Sequence, residues 1–78
     1  MKVRLLLFAA YRDMAGTSEL TLELPASASA REAVQLFRQQ ASSIPAEPVI
    51  AINREYSELD VVLSDGDELA LLPPVAGG

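Results

Sequence analysis

Two stretches near the start of the chain alternate between apolar and polar residues. The first, Lys2 to Ala9, has one aliphatic face and one face whose polarity fades toward its end. The aliphatic face carries Val3, Leu5 and Leu7, and the other face carries Lys2, Arg4, Leu6 and Phe8. The second stretch, Glu19 to Leu24, alternates leucine with Glu or Thr throughout. This period of two predicts two strands, and Gly16 favours a turn over Asp13 to Thr17, which gives a hairpin.

A helical pattern follows Pro25, which ends the second strand. Ser29-Ala30-Arg31-Glu32 matches a capping box, in which the Ser29 hydroxyl and the Glu32 carboxylate bond the first free N–H groups. Apolar residues then recur at helical spacing: Ala30, Ala33, Val34, Phe37 and Ala41. Polar residues fall on the other side: Arg31, Gln35, Arg38 and Gln39. We therefore predict a helix of about three turns that lies across the hairpin.

Strand-like segments return beyond Pro45 and Pro48. Three candidates remain, which are Val49 to Ile52, the weaker Leu59 to Leu63, and Glu68 to Leu72. Turn-forming residues separate them: Asn53-Arg54 and Ser64-Asp65-Gly66-Asp67. The order ββαββ predicts one α+β domain over residues 1–72, with a sheet of four to five strands and one main helix.

The composition excludes several classes of function. Half of the 78 residues are hydrophobic, so one small domain can build a core. The absence of cysteine and histidine removes thiolate nucleophiles, the commonest acid–base group and the commonest zinc ligand. Asp65 and Asp67 lack the further oxygen ligands of a calcium loop, so we interpret them as turn residues. We therefore expect no bound metal or cofactor and no self-sufficient catalytic centre.

Charge and hydropathy indicate the kind of partner and the compartment. The net charge of −5 disfavours nucleic acid and favours partners with basic surfaces. No apolar run reaches membrane-spanning length, and the N-terminal residues lack the zones of a signal peptide. We therefore expect a cytoplasmic protein that contacts neither nucleic acid nor membrane.

The last six residues, 73–78, have the composition of an extended arm. Pro73 and Pro74 lack N–H donors and hold an extended φ, so the preceding strand does not continue through them. Val75 and Ala76 lead to Gly77 and Gly78, whose backbone can enter a slot too narrow for other residues. Six residues at roughly 3.1 Å each reach about 19 Å. The sequence therefore predicts a substrate arm that is threaded into the active site of another protein.

The outer faces of the first and last strands predict a docking surface at the base of this arm. With Leu5, Leu7, Leu69 and Leu71 inward against the helix, four apolar residues face outward: Leu6, Phe8, Ala70 and Leu72. So short a chain has no second layer to cover them. If the two strands are neighbours, the four residues form one apolar patch, which a partner surface explains better than exposure does.

The chain resembles the ubiquitin-like sulfur carriers, in particular the small subunit of molybdopterin synthase. The resemblance covers essentially the whole chain and rests on these residues: Phe8-Ala9 with Arg12 and Gly16, Arg31-Glu32-Ala33, Ile52-Asn53, Leu63 to Ala70, and Pro73 to Gly78. It implies a β-grasp fold, with Glu68–Leu72 parallel to Lys2–Ala9 in the middle of the sheet. Some family members carry bulky aromatic residues late in the last strand, where this chain has Leu71 and Leu72.

The resemblance also implies an activity and its partners. An ATP-using adenylating enzyme of the ubiquitin-activating type activates the carboxylate of Gly78, and a sulfur donor protein converts it to a thiocarboxylate. The carrier then docks on the large synthase subunit, with two copies of each in a heterotetramer. There its sulfur builds the dithiolene of molybdopterin from cyclic pyranopterin monophosphate. Arg12 matches a family arginine, for which we expect a place at the rim of the docking surface.

Several alternatives remain open on the residues alone. A carrier of the same fold could serve thiamin, cysteine or tRNA thiolation, although thiamin carriers usually lack the paired prolines. A protein modifier conjugated through Gly78 would need the same activated end. An interaction domain without covalent chemistry is a third interpretation, in which the diglycine end is incidental.

Overall fold

The computed structural model describes residues 1–40 and 48–74. Its elements, in chain order, are β1 Lys2–Leu7, α1 Ala9–Ala15, β2 Glu19–Glu23, α2 Ala30–Gln40, β3 Val49–Ile52, β4 Glu55–Ser57 and β5 Glu68–Leu72. Predictions for Ala41 and for Val75, Ala76, Gly77 and Gly78 fall outside the described residues. Within the described ranges, no helix is long and apolar enough to cross a membrane.

The five strands form one mixed sheet with the order β2-β1-β5-β3-β4. β1 is antiparallel to β2 and parallel to β5, and Leu5 lies beside Leu69 and Leu7 beside Leu71. β3 is antiparallel to both β5 and β4. The first and last strands are therefore neighbours at the centre, which confirms the predicted α+β, β-grasp sheet with a main helix across it.

The core lies between the sheet and α2. Leu5, Leu69 and Leu71 on the central strands are fully buried, and so are Ala33 and Phe37 on the helix. The Ser29 hydroxyl accepts a hydrogen bond from the Glu32 N–H at 3.3 Å, as the predicted cap requires. The polar positions of α2 from Arg31 to Gln39 are exposed, so the predicted faces of this helix are confirmed.

Two tight turns close the end of the sheet that lies away from Leu72. Asn53 and Arg54 both have positive φ, 51° and 72°, which gives the two-residue turn that suits the twist of a hairpin. Gly66 has a φ of 85° in the predicted turn before β5. There the Asp65 carboxylate accepts from the Lys2 N–H and the Asp67 carboxylate accepts from the Ser64 N–H, each at 2.7 Å. Both aspartates thus bond the backbone, as turn residues do.

The predicted connection between the first two strands is wrong. β1 ends at Leu7, and a helix, α1, occupies much of the segment interpreted as strand end and turn. Gly16 is the left-handed residue that ends this helix, and its N–H donates to the Arg12 carbonyl at 2.9 Å. The helix forms because Tyr11 is buried in the core, which a short exposed turn cannot achieve.

The weak strand predicted over Leu59 to Leu63 is also wrong. Within the described residues this segment forms only an isolated bridge between Ser29 and Val62, and it carries Leu63 into the core. On its side away from β5, β3 pairs with β4, whose residues are mostly polar and exposed. It exists because the Asn53-Arg54 turn reverses the chain directly after β3.

The Tyr11 phenol links the stability of the fold to pH. Burial raises the pKa of Tyr11, and the positive charge of Arg38 offsets part of this effect. The folded state therefore holds the phenolic proton more tightly than the unfolded state does. This contribution to stability is fully present below a pH of about 10, where the unfolded phenol is also protonated. It is lost as the pH rises through the higher pKa of the folded state.

We predict that Tyr11→Phe flattens the alkaline decline of the unfolding free energy. A phenol ionises over a pH range of roughly 9 to 11. Over this range, the difference in unfolding free energy between the two proteins should change by at most about 1.4 kcal/mol per pH unit. Urea unfolding at a series of pH values measures this free energy. Loss of the hydroxyl can shift the whole curve by a constant amount, but a constant shift does not change how steeply the free energy falls with pH. Tyr56→Phe, at an exposed position, is the control that keeps the decline. Parallel curves for all three proteins would contradict the raised pKa.

Candidate functional site

The central position of β5 decides where the arm leaves the domain. β1 and β5 are parallel, so their carboxyl ends lie at the same edge of the sheet. β5 ends at Leu72, and the exposed Pro73 and Pro74 follow without regular structure. The arm therefore starts at the middle of this edge, beside Phe8. The boundary between residues 72 and 73 and the roles of Val75 to Gly78 stay predictions.

The face of the sheet opposite to α2 carries the predicted docking residues. Leu6 lies directly beside Ala70 in the parallel register. Phe8 follows β1 in extended conformation, with φ −128° and ψ 154°, so it lies on the same face as Leu6. Leu6, Ala70 and Leu72 are half-buried, and Phe8 is 43% exposed. The structure thus brings these four residues together at the base of the arm.

Strands β3 and β4 extend this surface with residues that the sequence did not indicate. Val49 lies opposite Leu72, and Ala51 lies opposite both Ala70 and Tyr56. The Tyr56 side chain is 80% exposed. We call the seven residues together the open-face patch: Leu6, Phe8, Val49, Ala51, Tyr56, Ala70 and Leu72. The Asn53-Arg54 turn was the available signal, because a hairpin there places residue 56 opposite residue 51.

The other end of the same face is polar and ionic. Arg4 lies beside Glu68 and donates to its carboxylate at 2.9 Å, while Arg54 Nε lies 3.9 Å from the second carboxylate oxygen. Asn53 accepts from the Glu68 N–H and donates to the Asp67 carboxylate, each at 3.0 Å. The open face therefore changes from charged to apolar toward the arm, as the outer face of β1 predicted.

Arg12 lies on α1, one turn after Phe8. Its N–H bonds the Phe8 carbonyl at 3.5 Å, and its side chain is exposed. The charged partner within reach is Asp13, whose carboxylate lies 3.8 Å from Arg12 Nε and is itself mostly exposed. Such a pair contributes little to folding, at most about 1 kcal/mol. Its position at the margin of the patch fits a rim contact, and that role stays a prediction.

The acidic side chains of the described residues are not arranged as a metal site. Within residues 1–40 and 48–74, no three acidic residues converge on a point that could hold a metal ion, and the sequence has no His or Cys. The carboxylates of Asp65, Asp67 and Glu68 already serve the turns and ion pairs described above. The chemical role of the arm stays a prediction.

Comparisons with known proteins agree with this geometry. A protein of Chlamydomonas reinhardtii named molybdopterin synthase sulfur carrier subunit is 36% identical over 86 residues, and the alignment covers 100% of both chains. A solved Pyrococcus furiosus structure, assigned as molybdopterin converting factor subunit 1, superposes with a TM-score of 0.84 at 30% identity, covering 96% of this chain and 99% of that one. The small archaeal modifier protein 1 of Methanosarcina acetivorans superposes with a TM-score of 0.78 at 26% identity, covering 99% and 96%.

The family model that matches this sequence spans nearly all of it. The match covers residues 5–78 and therefore includes the second half of β1, both helices, the central β5 and the diglycine end. The resemblance drawn from Phe8-Ala9, the turn before β5 and the Pro-Pro-Val-Ala-Gly-Gly end is thereby confirmed. The chain belongs to the ThiS family.

Proposed function

We propose that this protein is the sulfur-carrier small subunit of a molybdopterin synthase. Its Gly78 carboxylate is adenylated, becomes a thiocarboxylate, and gives its sulfur to cyclic pyranopterin monophosphate to form the molybdopterin dithiolene. The observation that carries the proposal is the diglycine arm, which continues from the central strand β5 beside the open-face patch. Full-length identity of 36% to a protein named as such a subunit supports it.

The chemistry requires an activating partner. A free carboxylate is a poor electrophile, so its oxygen must first be joined to AMP, with release of pyrophosphate from ATP. A sulfur nucleophile then attacks the acyl carbon and AMP leaves. The sequence offers no glycine-rich phosphate loop for ATP, so the adenylating enzyme must supply that site. Gly78 is thus a substrate, and ATP is the partner's cofactor.

The open-face patch is where we place the large synthase subunit and the adenylating enzyme. Phe8, Val49 and Tyr56 are exposed apolar side chains on one face, and they surround the strand from which the arm leaves. An exposed apolar surface of this kind is typical of an interaction site. A partner that covers it also receives the arm, because both lie at one edge of the sheet. A heterotetramer with two copies of each subunit, a separate sulfur donor protein and a cytoplasmic location complete the proposal.

Protein modification is the second candidate function. The likeness to the Methanosarcina acetivorans modifier protein favours it, since the two structures superpose over nearly their whole length. Both functions need an activated glycine end and differ in the acceptor, which is sulfur in one case and a lysine amine in the other. Isopeptide-linked adducts recovered from cells would favour modification, and a thiocarboxylate found by intact-mass spectrometry would favour sulfur transfer.

We predict that Gly77→Ala abolishes or greatly slows adenylation. The added methyl group restricts φ and fills space where a narrow channel leaves none. We expect the unfolding free energy to stay within about 0.5 kcal/mol, because the predicted arm contributes no core residue. Intact-mass spectrometry with ATP, adenylating enzyme and a sulfur source detects the exchange of one oxygen for sulfur. Ala76→Gly removes a methyl group next door and should retain the exchange. Normal conversion of Gly77→Ala would contradict the narrow channel.

We predict that Phe8→Ser and Leu72→Ser each weaken association with both partner enzymes by about tenfold, because each removes apolar area from the contact. Calorimetric titration measures the affinity, and circular dichroism should show a folded domain. Val62→Ser is the matched control, because Val62 is 57% exposed but lies outside the five-stranded sheet. Unfolding of Phe8→Ser or Leu72→Ser would show that these side chains serve the core instead.

We predict that Arg12→Ala lowers the affinity for at least one partner at low salt, and that the loss shrinks as salt rises. A rim arginine that pairs with a partner carboxylate acts through a screened charge interaction. Binding measured across a salt series, together with the melting temperature, separates this role from a contribution to folding. Arg31→Ala, on the solvent side of α2, serves as the comparison. Unchanged binding of Arg12→Ala at low salt would leave Arg12 as an ordinary surface residue.

A further inference from the structure

Strand β2 has a free edge on the side away from β1. Within the described part of the chain β2 pairs only with β1, since it is the first strand in the sheet order. The Leu7 N–H bonds the Ser18 carbonyl and the Leu24 N–H bonds the Met1 carbonyl. Antiparallel pairs alternate between bonded and non-bonded partners, so the backbone groups of residues 19, 21 and 23 point outward.

At one end of this edge, the backbone groups of Glu19 already have a hydrogen-bond partner. The Thr17 hydroxyl donates to the Glu19 carbonyl at 3.2 Å and accepts from the Glu19 N–H at 3.4 Å. The outward backbone groups of Thr21 and Glu23 have no such side chain among the described residues. The open stretch therefore runs from Thr21 toward Leu24, where β2 ends. Unpaired N–H and C=O groups in a row are a template for another strand.

A groove lies beside this open stretch, between the end of β2 and helix α2. Its volume is 310 Å³, and Glu23, Leu24, Glu32, Gln35, Leu36 and Gln39 line it together with Pro25. Leu24 is buried and Leu36 is half-buried, so the floor is aliphatic, while the helix rim carries a carboxylate and two amides. A strand added to β2 would direct every second side chain into this groove.

The charges around the free edge of β2 indicate which kind of segment fits there. Glu19 and Glu23 stand on the open face of β2 and Glu32 on the groove rim, and all three are exposed. Two described cations lie nearby on the β1 side of β2. Lys2 Nζ is 3.9 Å from the Glu23 carboxylate in an exposed pair, and the Met1 ammonium donates to the Leu24 carbonyl at 2.7 Å. Arg31 and Arg38 are seven residues apart and lie on the other flank of α2, where Arg31 pairs with Asp60. A second copy of β2 would bring Glu against Glu, which disfavours self-pairing.

We propose that the free edge of β2 and the adjacent groove bind an extended, basic segment of a partner protein by strand addition. In this segment aliphatic side chains alternate with lysine or arginine. The aliphatic side chains rest on Leu24 and Leu36, and the basic ones lie beside Glu19 and Glu23. The main chain bonds the backbone of Thr21 and Glu23, which supplies affinity, while the alternating side chains supply specificity. This surface is separate from the open-face patch and from the arm.

The test uses a fluorescent octapeptide of alternating valine and lysine as the probe. Fluorescence anisotropy should show saturable binding to the full chain, and amide NMR shifts should map to residues 19–24 and 32–39. A peptide of equal composition with four valines followed by four lysines should bind about tenfold more weakly, because it cannot alternate. A peptide of alternating valine and glutamate should also bind about tenfold more weakly, because its carboxylates would lie beside those of Glu19 and Glu23. Equal binding of the three peptides, or shifts confined to the open-face patch, would overturn the proposal.

Two protein variants test the edge and the charge separately. Thr21→Pro removes the outward N–H at an edge position, where proline is tolerated, and should lower the affinity at least about tenfold. Glu23→Lys reverses the local charge and should weaken binding by a similar factor, about tenfold, without a change in the backbone. Glu58→Lys is the matched control, because residue 58 follows β4 at the opposite edge of the sheet, and it should leave binding unchanged. If Thr21→Pro fails to fold, Glu23→Lys decides, and unchanged binding of Glu23→Lys overturns the proposal.

Discussion

The parallel pairing of β1 with β5 is the interaction on which the rest of the structure depends. It joins the two strands β2–β1 to the three strands β5–β3–β4, so its loss would divide the sheet. Leu5, Leu7, Leu69 and Leu71 are at most 1% exposed on its inner side, and they form the floor on which α2 packs. Its outer side brings Leu6 against Ala70 and aligns the carboxyl ends of both strands. The core and the open-face patch are thus opposite sides of one ladder.

The register of this ladder is fixed at its polar end. Asn53 bonds both the Glu68 backbone and the Asp67 carboxylate, so the β3–β4 turn and the turn before β5 are held together. Arg4 adds two further bonds and is the donor in both: its backbone N–H donates to the Asp67 carbonyl and its guanidinium donates to the Glu68 carboxylate. Each exposed pair stabilises by less than about 1 kcal/mol. Their larger effect is positional, since a slip of one residue would exchange the two faces of β5 and turn Ala70 and Leu72 toward α2.

Elements with a clear apolar pattern and a clear stop were predicted from the sequence. β3 and β5 match their predicted bounds, and α2 begins at the predicted cap. α1 was missed because a helix of seven residues shows too little period, and because Gly16 favours a turn as readily as a helix end. β4 was missed because it exists through pairing with β3 rather than through its own apolar residues.

The residues of the candidate site were likewise predicted only in part. Leu6, Phe8, Ala70 and Leu72 follow from alternation along two strands once those strands are neighbours. Val49 and Ala51 could not be assigned to a face, because β3 is apolar throughout and the side of each residue depends on its antiparallel register with β5.

The central pairing of β1 with β5 has a consequence for synthesis. Arg4 and Glu68 are 64 residues apart in sequence, so β1 leaves the ribosome long before its partner strand exists. The sheet closes only after β5 has emerged, which makes folding slow for so small a domain. The open-face patch is therefore present only on chains whose synthesis has passed β5.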